Sequence, residues 1–216
     1  MPTLPSFSRR RLLPRAAALL AVAAFPVARL AGAQAQALEP TPPDAEGPFY
    51  PTRIPAEADA DLTRVAGRSD RAKGTPLGLS GRVLRTDGQP LSKAKVELWQ
   101  CDVNGRYHHV GGSGDGNDPN FQGYGVVETD AQGRFAFRTI RPVPYGGRPP
   151  HLHFKLAHRG ARPLTTQIYP KGESAERFSG FGLSGRDARS RLEFVLAGGR
   201  ESNSFESTYD FVLRAV

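Results

Sequence analysis

A single cysteine, Cys101, is the whole thiol complement of the chain, so no intramolecular disulfide can form and stability has to come from packing. A lone cysteine is usually a small buried apolar residue rather than a nucleophile, and Cys101 is read that way. Histidine is scarce, with five in 216 residues, so any cluster of histidines draws attention. No long amphipathic helical pattern occurs. No apolar run is long enough to cross a bilayer, which needs about 20 apolar residues; the stretch Ala16–Val27 is too short, and Arg29 follows it.

Residues 1–37 are expected to be an export leader. They hold a basic start, an apolar stretch, and small residues of the A-x-A type before Leu38. Ser8-Arg9-Arg10-Arg11-Leu12-Leu13 fits the twin-arginine variety of leader, which predicts a bacterial protein delivered to the periplasm or beyond, cleaved after Ala35 or Ala37. Setting 1–37 aside removes five arginines and no acid, so the net charge falls from +8 to +3, with 24 basic against 21 acidic residues. With no long Lys/Arg run left, nucleic acid is not expected as a partner. No membrane association is expected once the leader is gone.

The remaining residues suffice for one domain with a sizeable core. Residues 38–76 are rich in Pro, Ala, Asp and Gly and read as an extended N-terminal arm, with a short helical turn near Asp59–Val65. From Leu77 to Val216 the texture is that of strands. "LGLSGRVLRT", "SKAKVELWQ", "HLHFKLAH", "PLTTQIY", "RLEFVLA" and "STYDFVLRA" are each strand candidates, and "YGVVET" with "RFAFRTI" reads as a hairpin about the turn "DAQG". Short strands with Gly and Pro punctuation predict an all-β fold: a single β-sandwich domain with long loops. The glycine-rich segment between Tyr107 and Tyr124 is long for a compact domain, and loops of that length are often functional.

The candidate chemistry centres on "RPPHLHF", Arg148 to Phe154. On a strand, residues i and i+2 share a face, so His151 and His153 project together from backbone positions about 7 Å apart. Spacing alone leaves a surface pair as the commoner case. Pro142, Pro144, Pro149 and Pro150 stiffen the approach to the strand. Tyr145 lies within the tight "PYGGRPP" segment, and Tyr107 ends "CDVNGRY" after the Trp99 strand. The candidate donor set is two imidazoles and two phenols. A phenol has an ordinary pKa of about 10, so binding as phenolate at neutral pH calls for a strongly acidic ion. Zinc would more typically recruit Cys, His or carboxylate. The alternatives are His108, His109, Asp115 and Asp118 in the long loop.

These segments together resemble the intradiol ring-cleavage dioxygenases, ferric enzymes that open catechols between the two hydroxyls. "EGPFY" looks like the family's N-terminal signature, and "GRVLRTDGQPLSKAKVELWQCDVNGRY" like its central segment. "DPNFQGYG" and "TDAQGRFAFRTIRPVPY" are similar to the β subunits of protocatechuate 3,4-dioxygenases, with "RPPHLHF" closing the site. The resemblance covers nearly all of the chain after residue 37. It implies a non-haem Fe(III) site with Tyr107, Tyr145, His151 and His153 as ligands, Tyr145 being the one that leaves when substrate binds and accepts a proton. It implies Arg148 as the group that stabilises charge on substrate, and Gln167 of "TTQIY" beside it. The implied reaction takes a catechol and O2 to a cis,cis-muconate. All four ligand positions lie in one chain, which leaves room for a homo-oligomer. The pattern departs at Gly146-Gly147, where protocatechuate enzymes carry a longer turn with an aromatic residue; a more open pocket rim is expected here.

A second reading stands beside this one. "GRVLRTDGQPLSKAKVELW…ETDAQGRFAF" is also similar to non-catalytic β-sandwich modules of the carboxypeptidase-regulatory type, in which His151 and His153 would be surface residues. The tyrosine–histidine set separates the two, because a structural module has no need of it.

Overall fold

The computed structural model describes residues 37–108, 116–173, 188 and 190–216. The expected leader lies outside these residues, apart from Ala37, as do His109 and Asp115. Residues 35–216 form one compact unit. Its strands are β1 (Pro76–Arg85), β2 (Lys95–Trp99), β3 (Tyr124–Glu128), β4 (Arg134–Ile140), β5 (Leu152–His158), β6 (Ala161–Pro170), β7 (Glu193–Phe194), β8 (Ala197–Gly198), β9 (Phe205–Thr208) and β10 (Phe211–Leu213).

Two sheets face each other, as expected of a sandwich. One has the order β3-β2-β5-β6-β7; the other is built around β1, with β4 antiparallel to it and β9 and β10 parallel. Alternation drives the stacking. Leu77, Leu79 and Val83 of β1 and Phe135 and Phe137 of β4 turn inward to meet Val96 and Leu98 of β2 and Phe154 and Leu156 of β5 in one apolar cluster.

Three local expectations need correction. β3 and β4 do not form a hairpin. The "DAQG" turn is there, with the Gly133 N–H donating to the Asp130 carbonyl, but it carries the chain from one sheet to the other, because β3 pairs with β2 while β4 pairs with β1. Turn chemistry is local, and strand pairing is decided by which neighbours complete each buried face. "RLEFVLA" is two short strands rather than one. "STYDFVLRA" is likewise split into β9 and β10, yet both keep one register on β1, from Leu77 opposite Phe205 to Arg85 opposite Leu213. At the break the Asp210 carboxylate accepts the Arg82 N–H in place of a backbone carbonyl.

Near Asp59–Val65 the arm forms no helix, only a single turn closed by the Arg64 N–H donating to the Asp61 carbonyl at 3.3 Å. Residues 58–62 cross the ends of both sheets instead: the Val126 N–H donates to the Ala58 carbonyl, and Arg138 exchanges backbone bonds with Ala60 and Leu62. Further back, the Thr41 N–H donates to Val212 and the Asp44 N–H to Thr165.

Gly81 marks the tightest approach in the β1 sheet, because a β-carbon there would sit 1.8 Å from the Tyr209 carbonyl oxygen. That neighbour is backbone and cannot swing aside. Gly81→Ala is therefore expected to destabilise the fold by about 1–3 kcal/mol, the range of overpacked cores, read as a lower urea midpoint at unchanged slope.

Candidate functional site

Strand register assembles half of the site. His153 of β5 lies opposite Trp99 of β2 on one side and opposite Gln167 of β6 on the other, so three side chains stand in one cross-strand row. Trp99 stacks on the His153 ring with centroids 4.8 Å apart and planes 15° from parallel. His151, two residues earlier, shares the face. Its Nδ1 lies 2.6 Å from the Pro149 carbonyl, which can only accept, so Nδ1 carries the proton and Nε2 presents its lone pair to the centre.

Turns supply the other half. Tyr145 and Arg148 close a two-residue turn, with the Arg148 N–H donating to the Tyr145 carbonyl at 2.8 Å. Both central residues, Gly146 and Gly147, have positive φ, at 52° and 78°. That is the type I′ pattern, which glycine adopts without steric cost. Tyr107 follows a second turn after β2 and is buried, with the Phe49 ring of the arm stacked on it at 4.5 Å.

Four polar atoms then meet in series. The Tyr107 hydroxyl lies 3.2 Å from the Tyr145 hydroxyl, that hydroxyl 3.2 Å from His151 Nε2, and His151 Nε2 3.1 Å from His153 Nε2. Beside them an Arg148 guanidinium nitrogen donates to Gln167 Oε1 at 2.6 Å, and Gln167 Nε2 donates to the Ala45 carbonyl of the arm. All six residues singled out from sequence thus fall in one place.

The electrostatics suit a cation. Burial, helped by the charge of Arg148, pushes the His151 imidazole down to about 3. Burial, with His151 and Arg148 nearby, holds His153 well below the usual histidine range. Both rings are neutral at physiological pH, as metal ligation requires. Burial also pushes the Tyr107 and Tyr145 hydroxyls up, so both are phenols until a strong positive charge arrives. No group of three or more His, Cys, Asp or Glu residues able to hold a metal occurs among the described residues. A metal here would have to be one that phenolates favour, which fits a hard ion such as Fe(III) and argues against zinc.

The alternative ligands that can be placed are engaged elsewhere. His108 Nε2 contacts the buried Asp102 carboxylate at 3.1 Å. Asp118 accepts backbone N–H groups from Lys73 and Asn120. Cys101 packs among Trp99, Tyr107 and Tyr124, and burial raises its thiol to about 12, in keeping with an inert apolar role. Sequence reasoning assigned no role to Phe49 or Tyr169. Phe49 lies within the quoted "EGPFY", and Tyr169 sits two residues after Gln167, where period 2 puts it on the same face; it donates to Asp44 of the arm at 2.8 Å.

A family model described as Dioxygenase matches residues 45–215. The protocatechuate 3,4-dioxygenase beta chain of Burkholderia cepacia is 36% identical over 184 residues, covering 79% of this chain and 78% of that one. Catechol 1,2-dioxygenase 1 of Acinetobacter lwoffii is 33% identical over 151 residues, covering 62% of this chain but 47% of its own length, so the chain spans about half of that relative. Among solved structures, the dioxygenase domain of a dioxygenase carbohydrate-binding protein fusion from the cellulolytic bacterium Streptomyces sp. SirexAA-E superposes with a TM-score of 0.64 at 30% identity, covering 82% of this chain and all of that domain.

The depressed histidines predict an acid-sensitive metal-free chain. Below the unfolded pKa of about 6.5 the unfolded chain binds protons that buried His151 refuses until pH approaches about 3. Stability should therefore fall as pH drops through that window, by up to about 1.4 kcal/mol per pH unit for one such group. Denaturant midpoints measured from pH 7 to pH 4 on the native chain and on His151→Gln check this; the variant should show the shallower slope.

Proposed function

The chain belongs to the intradiol ring-cleavage dioxygenase family, and on that premise we propose that it opens a catechol-type ring between its two hydroxyl-bearing carbons with O2, giving a cis,cis-muconate. The site would be a non-haem ferric centre held by Tyr107, Tyr145, His151 and His153. The observation that carries this reading is the series of three contacts of 3.1–3.2 Å that links those four side chains. The structural-module reading gives no reason to bury them together.

A ferric ion held by these four residues would supply Lewis acidity toward a catechol substrate. The chain's own residues do the rest. His151 and His153 are neutral before loading and hold fixed positions, His153 on β5 and His151 immediately before it. Phe49 and Trp99 keep water from the ligand rings. Tyr145, half-buried at its turn, is the donor free to give way to substrate, its phenolate oxygen taking a proton from a catechol hydroxyl. Arg148, steadied by Gln167, sets a fixed positive charge beside the negative charge that develops on the substrate.

The rim suggests the substrate. A β-carbon on Gly146 or Gly147 would meet nothing within 4 Å, so a ring substituent reaching past this turn has room. The reading extends to an exported enzyme acting outside the cytoplasm on catechols derived from plant phenolics. The leader pattern of residues 1–37 and the Streptomyces relative, a fusion with a carbohydrate-binding protein from a cellulolytic bacterium, both support it. With all four ligands in one chain, the site would need no unlike subunit, which leaves room for a homo-oligomer.

Tyrosinate-to-iron charge transfer should colour the iron-loaded protein red-brown, and Tyr107→Phe should weaken that band. A chain that stays colourless after reconstitution with ferric ion would sink the assignment. Arg148→Ala is expected to lower kcat on catechol by about 10²–10³, the range for losing one preorganised stabilising group. Turnover of catechol, protocatechuate, hydroxyquinol and side-chain-bearing catechols tests the rim; activity confined to protocatechuate would count against it.

A further inference from the structure

We propose that Gly105 is a positioning residue for Tyr145, serving as the surface against which the β-carbon of that tyrosine rests. Gly105 ends the turn "DVNG" between β2 and Tyr107. The Gly105 N–H donates to the Asp102 carbonyl at 3.0 Å and the Asp102 N–H to the Arg106 carbonyl at 2.9 Å. Asp102 Oδ1 also accepts the N–H groups of Asn104 and Arg106. This is a type I turn followed by a left-handed residue, a common three-residue hairpin loop. The φ of +73° at Gly105 accounts for a glycine or an asparagine at this position.

It does not account for the second demand. A β-carbon at Gly105 would lie 2.9 Å from Tyr145 Cβ and 3.7 Å from the Pro144 carbonyl oxygen. Tyr145 Cβ is fixed to the backbone, so the tyrosine itself would have to move rather than swing a flexible tip aside. The turn therefore holds both tyrosines at once. It carries Tyr107 two residues on, and through Gly105 it sets how closely Tyr145 approaches the Tyr107 hydroxyl, now 3.2 Å away. Gly88 offers the contrast: its φ is +83°, yet nothing lies within 4 Å of a β-carbon there.

Gly105→Asn separates the two demands, because asparagine tolerates the left-handed region but brings a β-carbon. The first readout uses the metal-free full chain with labelled tyrosine rings, the Tyr145 resonance being identified by its loss in Tyr145→Phe. Gly105→Asn and Gly105→Ala should both move that resonance and leave those of Tyr169 and Tyr209 in place, while Gly88→Asn moves none. The second readout rests on the ferric reading. Iron-loaded Gly105→Asn should lose the Tyr145 share of the charge-transfer band at unchanged iron content, and adding Tyr145→Phe should remove nothing more. A Tyr145 resonance that stays put in both Gly105 variants overturns the proposal. So does a general collapse of the tyrosine spectrum in both while Gly88→Asn remains intact, since the whole turn would then depend on Gly105. A moved resonance in a chain that never develops a band keeps the positioning role and removes the ferric reading.

Discussion

Two imidazoles and two phenols buried against one another, with no carboxylate among them, form the constraint on which the rest of the structure depends. Uncharged, they can sit 3.1–3.2 Å apart in a dry interior; charged, any one of them would need solvent or a counter-ion. Burial keeps all four neutral, and the nearby Arg148 charge opposes protonation of either imidazole, while the Pro149 carbonyl fixes the His151 tautomer. The environment that suppresses ionisation would also make a metal site here selective, because only a cation strong enough to displace phenol protons would gain the full donor set.

The sandwich alone would leave this cluster open on one side, and the arm closes it. Residues 44–50 run past the ends of β5 and β6, with the Ala45 carbonyl accepting from Gln167, Asp44 accepting from Tyr169, and Phe49 stacked on Tyr107. Tyr50 then turns inward, edge-on to Trp99, and donates to the buried Glu97 carboxylate at 2.6 Å. Lys155 lies over the Tyr50 ring and pairs with Glu46. The Lys155–Glu46 pair is half-exposed and adds little by itself. The aromatic contacts and the buried hydrogen bonds hold the arm, so the segment that looked least structured in sequence supplies a wall of the site.

Much of the site was legible because it follows local rules. His151 and His153 share a face by the two-residue period of a strand, and the prolines before them announce a stiff approach. Arg148 and Gln167 were reachable only by resemblance, since nothing in "TTQIY" says that β6 will pair with β5 in the register that sets Gln167 opposite His153. Pairing is where local reading failed. "DAQG" forms the expected turn, but whether its flanking strands pair with each other depends on β1 and β2, about fifty and thirty residues upstream, which compete for them. The extended arm was read from composition, but its partners were missed for a similar reason: at Ala58–Leu62 its backbone bonds go to Val126 and Arg138, which no local pattern identifies.

The four donors divide by the element that carries them, and the division bears on how the site works. His153 stands on a strand paired on both sides, and His151 immediately precedes that strand, so both are fixed by the sheet and its core. Tyr107 rides on a hairpin turn braced by Asp102 and is pinned under Phe49. Tyr145 sits on a two-glycine turn whose outer side is open, and it is the most exposed of the four. A donor can yield to an incoming substrate only where its backbone has little packed against it and its ring has somewhere to go. Of the four, Tyr145 best meets both conditions, and Gly105 packs closely against its β-carbon. On the proposed ferric reading, exchange of ligand for substrate would thereby be confined to one tyrosine, while the other three positions would hold the centre in place.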